Sequence, residues 1–444
     1  MLLNGIEFRF FGERSAAFAC IFASAFLVLK YYPGSFYYDV VLQYNYISSL
    51  ASLHIPSDFS SWWPLANVLV RLPLWFITRE PGIILFAVLF FYFWTAYRLI
   101  RLFDSTGWAL VAFVLFCAAT PYTAWLVLHG PHTMVAALLV LAAALFIEKR
   151  PIWASVALGV TVLFRADAVL LVLTAAFALA LIRATSWRAA AVGIGVALLA
   201  FGIASIKLDN PRDPNNGLTP ANDGLVHATL AVLARNPTLG EGDAKLMALY
   251  RKIPERYDLL CSLSMWCSTS RAFVDLDAAR KPDTTSTLIK ANLRFLRNDP
   301  ILTIKVWTTR IWLAATLKLA PHELGRADVL PFSRVDTIKT SATEANRALV
   351  ERHRVFYERS GGVYAPALFL GLWLVGGAIA RSRVLLGLAL AAITVFPLKV
   401  FLLPTQEVRY YFPEITMTLL AMLIGAIEIF KKLRFGSGRA NQPT

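Results

Sequence analysis

The sequence predicts an all-α polytopic membrane protein with about ten transmembrane helices and a mostly helical extracytoplasmic domain late in the chain. Three observations carry that expectation. Of 444 residues, 57% are hydrophobic and 16% charged, against roughly 25% charged in ordinary globular domains, and the mean hydropathy is +0.59. The apolar runs are about 18 to 20 residues long, the length that carries a helix through a bilayer core. They lack the ten-residue alternation of barrel strands, and in lipid a helix satisfies its own backbone. Between Lys207 and Gly361 the composition turns to mixed charge, opening with Asn210-Pro211-Arg212-Asp213-Pro214.

Taken in order, spans are expected at residues 15–31, 82–100, 107–127, 132–147, 151–165, 167–183, 188–206, 362–380, 384–403 and 411–430. The first has no small-residue cleavage site after it and is expected to stay as an anchor. Residues 64–78 carry Pro64, Arg71 and Pro73 and read as a juxtamembrane helix. The run from Ile301 to Ala320 contains Lys305, Arg310 and Lys318, so it reads as interfacial or packed on the soluble part. This divides the chain into a module of seven spans at 1–206 with a first outer loop at 32–81, an extracytoplasmic domain at 207–361, three spans at 362–430 and a tail at 431–444.

Orientation follows from the cations. With the N-terminus inside, fourteen Lys and Arg fall on the cytoplasmic face: Arg9, Arg14, Arg98, Arg101, Lys149, Arg150, Arg183, Arg188, Arg381, Arg383, Lys431, Lys432, Arg434 and Arg439. Outside the long loop, the other face keeps six: Lys30, Arg71, Arg79, Arg165, Lys399 and Arg409. That bias puts both termini in the cytoplasm, and a loop of about 150 residues crosses regardless of its charge. The net charge of +15 is then topology. No basic cluster is interleaved with exposed aromatics, so nucleic acid is not an expected partner.

Cys20 and Cys117 lie in apolar spans, whereas Cys261 and Cys267 share the outer domain, where an oxidising compartment favours a bridge. The sequence holds no C-x-x-C pair, and its six histidines are scattered apart from His129 and His132.

Polar residues expected at the outer face are the candidates for function, because charge at membrane depth is costly. The first loop offers Asp39 beside Tyr37 and Tyr38, then Gln43, Asp58 and Trp62-Trp63-Pro64. Later loops add His129 and His132, Arg165 and Asp167, and the run Gln406-Glu407-Val408-Arg409-Tyr410-Tyr411. Lys399 sits inside an apolar span. Each has a structural reading beside the functional one. Asp39 is also a suitable N-cap for a helix starting at Val40, Arg165 and Asp167 a salt-bridged turn, the histidines turn residues, Trp62 and Trp63 interface anchors, and Lys399 a snorkelling side chain.

A long first outer loop with an early acid, many short spans, a large outer domain and a late Arg-Tyr-Tyr-x-Pro loop resemble the class C (GT-C) glycosyltransferases. The likeness is greatest to bacterial members whose first loop reads Pro-Gly, Asp, Gln and His-Pro-Pro. Here the matching positions are Pro33-Gly34, Asp39, Gln43 and Trp62-Trp63-Pro64, and Glu407 to Pro413 is similar to their Glu-x-Arg-Tyr-x-x-Pro segment. Two departures stand out: Trp62-Trp63 replaces the histidine, and Asp39 has no adjacent acid.

The resemblance implies a polyprenyl-phosphate-linked sugar as donor, a glycan, lipid or protein as acceptor, and a bacterial inner membrane with the active site on its periplasmic face. It implies Asp39 as base, Arg409, Lys399 and Arg165 at the donor phosphate, and Gln43, Tyr38, Trp62, Trp63, His132, Glu407 and Tyr410 at substrate. It makes no cofactor certain; a divalent metal stays open, its case weakened by the missing second acid. A single carboxylate base favours inversion. A transporter or flippase would use the same cations but is expected to show internal repeats, and one outer domain after seven spans is asymmetric. A non-catalytic assembly protein is the third class.

Overall fold

The computed structural model describes residues 13–32, 38–54, 68–104, 108–118, 125–127, 130–204, 220–263, 272–279, 281, 283–317, 348–349, 351–352, 355–356, 359, 364–403 and 408–436. Among these the chain is helical apart from turns, loops and one isolated antiparallel bridge between Tyr250 and Val274. The principal helices are α1 (Glu13–Tyr31), α2 (Tyr38–Ala51), α3 (Leu72–Thr78), α4 (Pro81–Arg101), α5 (Trp108–Ala118), α6 (His132–Ile147), α7 (Pro151–Phe164), α8 (Ala168–Leu181), α9 (Trp187–Ala204), α10 (Pro220–Leu233), α11 (Thr284–Asn298), α12 (Pro300–Thr316), α13 (Pro366–Ile379), α14 (Arg383–Leu402) and α15 (Val408–Gly436).

Apolar helices lie at every position where the sequence predicts a span. Four helical stretches, Pro81–Arg101, Trp187–Ala204, Arg383–Leu402 and Tyr410–Leu433, are long and apolar enough to cross a membrane; the other apolar helices are shorter. In the segment at 107–127 the described residues are helical over Trp108–Ala118 and again at Trp125.

The helices alternate in direction, and short turns explain why. After α6, α8 and α13 the chain reverses through Lys149, Arg183 and Arg381, each at positive φ. At each turn a later amide closes onto a carbonyl five residues back: Arg150 onto Leu145, Ala184 onto Leu179, and Ser382 onto Gly377. This is the bonding of a Schellman cap, in which the left-handed residue is usually glycine. A cation there carries some steric cost but lies at the negative end of the helix dipole. The same end of the bundle holds Arg98 on Glu148, with Nε–Oε1 2.7 Å and Nη2–Oε2 2.5 Å, and Lys431 on Glu428 at 3.0 Å.

The membrane helices share one large apolar core. One close backbone approach in it is at Gly376 in α13, where an added Cβ would lie 2.6 Å from the backbone carbon of Ala421 in α15. Small residues let helices approach closely where burial in lipid adds no hydrophobic drive.

A second core is built from α10, α11 and the segments between them. The buried positions of α11, Leu288, Ala291, Asn292 and Phe295, follow the i, i+3, i+4, i+7 spacing of an amphipathic helix. Asn292 donates to Thr229 Oγ1 at 2.7 Å, and Tyr250 to the Val226 carbonyl at 2.9 Å, while Asn292 Oδ1 is buried with no hydrogen-bond partner. Asp299 caps α12 by accepting from the Leu302 amide at 3.1 Å. In α12, Val306 belongs to the outer core and Ala314 to the membrane core, so the run expected to be interfacial bridges the two.

Cys20 and Cys117 are free thiols, and Cys261 is disulfide-bonded. Its expected partner, Cys267, lies outside the described residues. Mass spectrometry of unreduced peptides is expected to recover Cys261 and Cys267 linked. Alkylation of both thiols in intact cells without prior reduction would remove the bridge and the oxidising location together.

Candidate functional site

At the end of the bundle opposite Arg98 and Lys431, five helix termini bring polar side chains together. His132 is the first residue of α6, following Pro131. Arg165 closes α7 in an extended conformation, and Asp167 stands immediately before α8, so three residues reverse the chain. Lys399 lies in the last turn of α14, two residues after Pro397, and Glu414 follows Pro413 in the first turns of α15. Proline inside a helix removes one backbone donor and loosens the turn before it, so both members of this pair flank a locally altered ladder.

The Arg165 guanidinium is the hub. Its Nε meets Asp167 Oδ1 at 2.9 Å and its Nη2 meets Oδ2 at 2.5 Å, a bidentate fork. Its Nη1 lies 2.8 Å from His132 Nδ1. Arginine has only protons to offer, so Nδ1 accepts, and the proton of a neutral His132 is on Nε2. The guanidinium stacks 4.8 Å from the Tyr410 ring, and His132 meets the same ring edge-to-face at 6.2 Å.

Lys399 continues the cluster. Its Nζ pairs with Glu414 Oε1, reaches the Tyr410 carbonyl at 3.4 Å and lies 5.0 Å from the Tyr411 ring. Side-chain exposure is 8% for Lys399 and 3% for Glu414, so the pair is shielded from water and carries a desolvation cost that attraction must offset. Glu414 Oε2 is buried with no hydrogen-bond partner.

The sequence-predicted residues divide into three groups. His132, Arg165, Lys399 and Tyr410 come together. Gln43 is buried elsewhere: it accepts from Arg71 Nη1 at 3.2 Å, and Arg71 stacks 5.8 Å from Tyr44, which meets Trp75 at 5.6 Å. Gln43 thereby joins α2 to the segment leading into α3. Trp62, Trp63 and Glu407 lie outside the described residues, as do the side chains of Tyr38, Asp39 and Arg409. In backbone terms, α2 begins at Tyr38, which puts Asp39 in its first turn instead of capping a helix from Val40, and Arg409 is the second residue of α15.

Glu414 was not among the candidates. The signal that could have found it is an acid inside an apolar run, at the same depth in its helix as Lys399 in the preceding one.

Chemically, the cluster offers a fixed neutral imidazole, two cations each matched by a carboxylate, and one unengaged carboxylate oxygen. Three helices, α6, α8 and α15, start here, so their positive dipole ends also face this region. No group of three or more His, Cys, Asp or Glu suited to a metal occurs among the described residues. Within the cluster Asp167 and Glu414 are engaged by cations, leaving Glu414 Oε2 as a lone donor, which does not make a metal site.

No protein-family model matches the chain, and no curated protein does. Two solved structures are similar in fold. One is the oligosaccharyltransferase of Archaeoglobus fulgidus in complex with Zn and sulfate, at 13% identity and TM-score 0.42, covering 95% of this chain and 50% of that one. The other is ArnT from Cupriavidus metallidurans bound to undecaprenyl phosphate, at 14% identity and TM-score 0.35, covering 95% of this chain and 77% of that one. The chain thus spans half the length of the oligosaccharyltransferase it matches.

Removing one member of the Lys399–Glu414 pair leaves the other charge buried and unmatched, at a cost of about 3–5 kcal/mol, whereas replacing both with apolar residues is often neutral. Lys399→Met is expected to lower the thermal midpoint of the detergent-purified protein, and Lys399→Met/Glu414→Leu to recover most of the loss. Equal midpoints for the single variant and the unmodified protein would show that the pair carries no such energy.

Proposed function

We propose that this chain is an integral membrane glycosyltransferase that moves a hexosyl or pentosyl group from a polyprenyl-phosphate donor to an extracytoplasmic glycan, lipid or protein acceptor, with inversion. The membrane would be the bacterial inner membrane, with both termini cytoplasmic and the site on the periplasmic face. The observation that supports this most is the cluster of Arg165, His132, Lys399 and Tyr410 at one end of an apolar bundle, where the chain also brings Arg409.

The chemistry needs few parts. The acceptor hydroxyl oxygen attacks the anomeric carbon, the bond from that carbon to the phosphate oxygen breaks, and the hydroxyl proton passes to the Asp39 carboxylate. Polyprenyl monophosphate leaves with the bonding pair. A phosphodiester leaves without a general acid, so the protein supplies a base and cations for the developing charge. Arg409 is the first choice for the phosphate, because Arg165 is engaged by Asp167 and Lys399 by Glu414. Those two would hold the pocket and add field. Tyr38, Trp62 and Trp63 would stack on sugar faces, and Glu407 would orient Arg409.

One observation favours the rival transporter reading. A buried lysine–glutamate pair with one free carboxylate oxygen is the kind of intramembrane charge used in proton relays. A transporter would keep its flux when Asp39 loses its charge.

Asp39→Asn preserves size while removing basicity, so transfer to acceptor is expected to fall by orders of magnitude while the protein stays monodisperse. Near-normal turnover would exclude Asp39 as the base. Arg409→Lys is expected to lose much of the activity with polyprenyl-phosphate donors and Arg409→Ala nearly all of it, since lysine cannot copy the planar fork. Unchanged donor affinity and turnover in Arg409→Ala would move the phosphate toward Arg165 or Lys399.

A further inference from the structure

The described residues contain a second place suited to an anionic lipid, away from the cluster of α6, α7, α8, α14 and α15. Helices α1 and α5 both pack on α4 and leave a cleft between them, of about 420 Å³. Along α1 the cleft is lined by Ala19, Phe22, Ala23, Phe26, Leu27, Lys30 and Tyr31. That spacing of three and four residues is one face of a helix. From Ala19 to Lys30 the face runs roughly 16 Å at 1.5 Å per residue, about half the 30 Å core of a bilayer. The cleft therefore has the depth of one leaflet. Phe22 and Phe26 are more than half exposed, so it opens sideways to lipid.

Its mouth is basic. Lys30, in the last turn of α1, and Arg352, in the helical turn at 351–352, both line it. Lys30 Nζ lies 5.4 Å from the rings of Phe26 and Tyr31, and Arg352 Nε donates to its own turn at the Ala348 carbonyl, 3.2 Å away. Neither has an ion-pair partner among the described residues, and the neighbouring acid Glu351 has interactions of its own. This contrasts with Arg165 and Lys399, each neutralised by a carboxylate.

We propose that this cleft binds a single-chain lipid monophosphate, with the isoprenoid chain between α1 and α5 and the phosphate between Lys30 and Arg352. Three features fix the chemistry. The volume is that of a small-ligand pocket, roughly 300–1,000 Å³, and its slot between two helices admits one chain in place of the two of a bilayer phospholipid. The small residues Ala19, Ala23, Cys117 and Ala118 along both walls leave room for the methyl branches of an isoprenoid. Two unmatched cations complement a phosphomonoester, which carries about −1.5 to −2 at pH 7, better than the single charge of a diester. On the glycosyl-transfer reading, which this inference extends, the occupant is the carrier lipid after its sugar has left.

The test is equilibrium binding to the purified full chain in nanodiscs, which reads the cleft without reading transfer. Farnesyl monophosphate is expected to bind at least tenfold more tightly than farnesol or a farnesyl phosphodiester. Lys30→Gln and Arg352→Gln, both exposed side chains, are each expected to weaken it several-fold, and Ala23→Phe to block it. Equal retention of farnesol, or full competition by phosphatidylglycerol, would make the cleft an ordinary annular lipid seam and overturn the proposal. So would unchanged affinity in Lys30→Gln/Arg352→Gln. Should Ala23→Phe fail to fold, the head-group variants still decide. A transfer-dead Asp39→Asn protein that binds farnesyl monophosphate normally would separate the two readings.

Discussion

A charge placed among apolar helices finds no solvent, so it is either matched by a partner or held where water or a ligand can reach it. That constraint organises both ends of this bundle. At one end Arg98 is matched by Glu148 and Lys431 by Glu428. At the other, Arg165 is matched by Asp167 and Lys399 by Glu414. Each pair links the helices that carry it: Lys399 and Glu414 meet where the end of α14 and the start of α15, two helices that both pack on α13, come to the same level. The aromatic rings of Tyr410 and Tyr411 then fill the space between the two pairs. The polar cluster is the place where the requirements of α6, α7, α8, α14 and α15 are met together.

The outer core depends on the same helix. Gly224 in α10 lies against the last carbonyls of α14, where a Cβ would come within 2.1 Å of the Phe401 oxygen. Arg310 of α12 donates to Ser262 through Nε at 2.9 Å and to the Ser262 carbonyl through Nη2 at 2.8 Å, and stacks 5.2 Å from the Phe401 ring. Phe401 is two residues beyond Lys399. The second core therefore meets α14 by close backbone contact beside the residues that carry the cluster. The turn held by Arg310 follows Cys261, so a bridge there would stiffen the segment that grips the arginine.

Much of this could be read from the sequence because it follows from period and composition. Each apolar run coincides with an apolar helix, since hydrocarbon forces the backbone to bond within the run, and four of these helical stretches are long and apolar enough to cross a membrane. The Arg165–Asp167 turn was visible as two opposite charges two residues apart. The shorter lengths of several helices were not visible, because hydropathy does not say where a helix tightens into a turn such as that at Trp125. Nor was the partner of Lys399: Glu414 is 15 residues away on the next helix, and the tertiary arrangement that brings the two helix ends together is not encoded locally. Gln43 illustrates the converse. A motif suggested substrate, and the fold uses its amide for Arg71, a contact between segments that no local pattern encodes.

The two basic regions differ in a way that bears on how a lipid phosphate is handled. Arg165 and Lys399 are already paired, so their positions are set before substrate arrives and little ordering cost is added on binding, but their field is half cancelled. Lys30 and Arg352 are exposed and unmatched, so they keep full charge at the cost of holding two long side chains in place when an anion binds. The first arrangement suits a transition state, where geometry must be fixed in advance and the charge gained is partial. The second suits a ground state with a full charge and a tail to bury, because the apolar cleft supplies most of the affinity and the cations select among head groups. On the proposed reading, conversion of a lipid phosphodiester into a monoester adds charge to the lipid, so the product would gain more than the donor from the two cations at the mouth of the α1–α5 cleft.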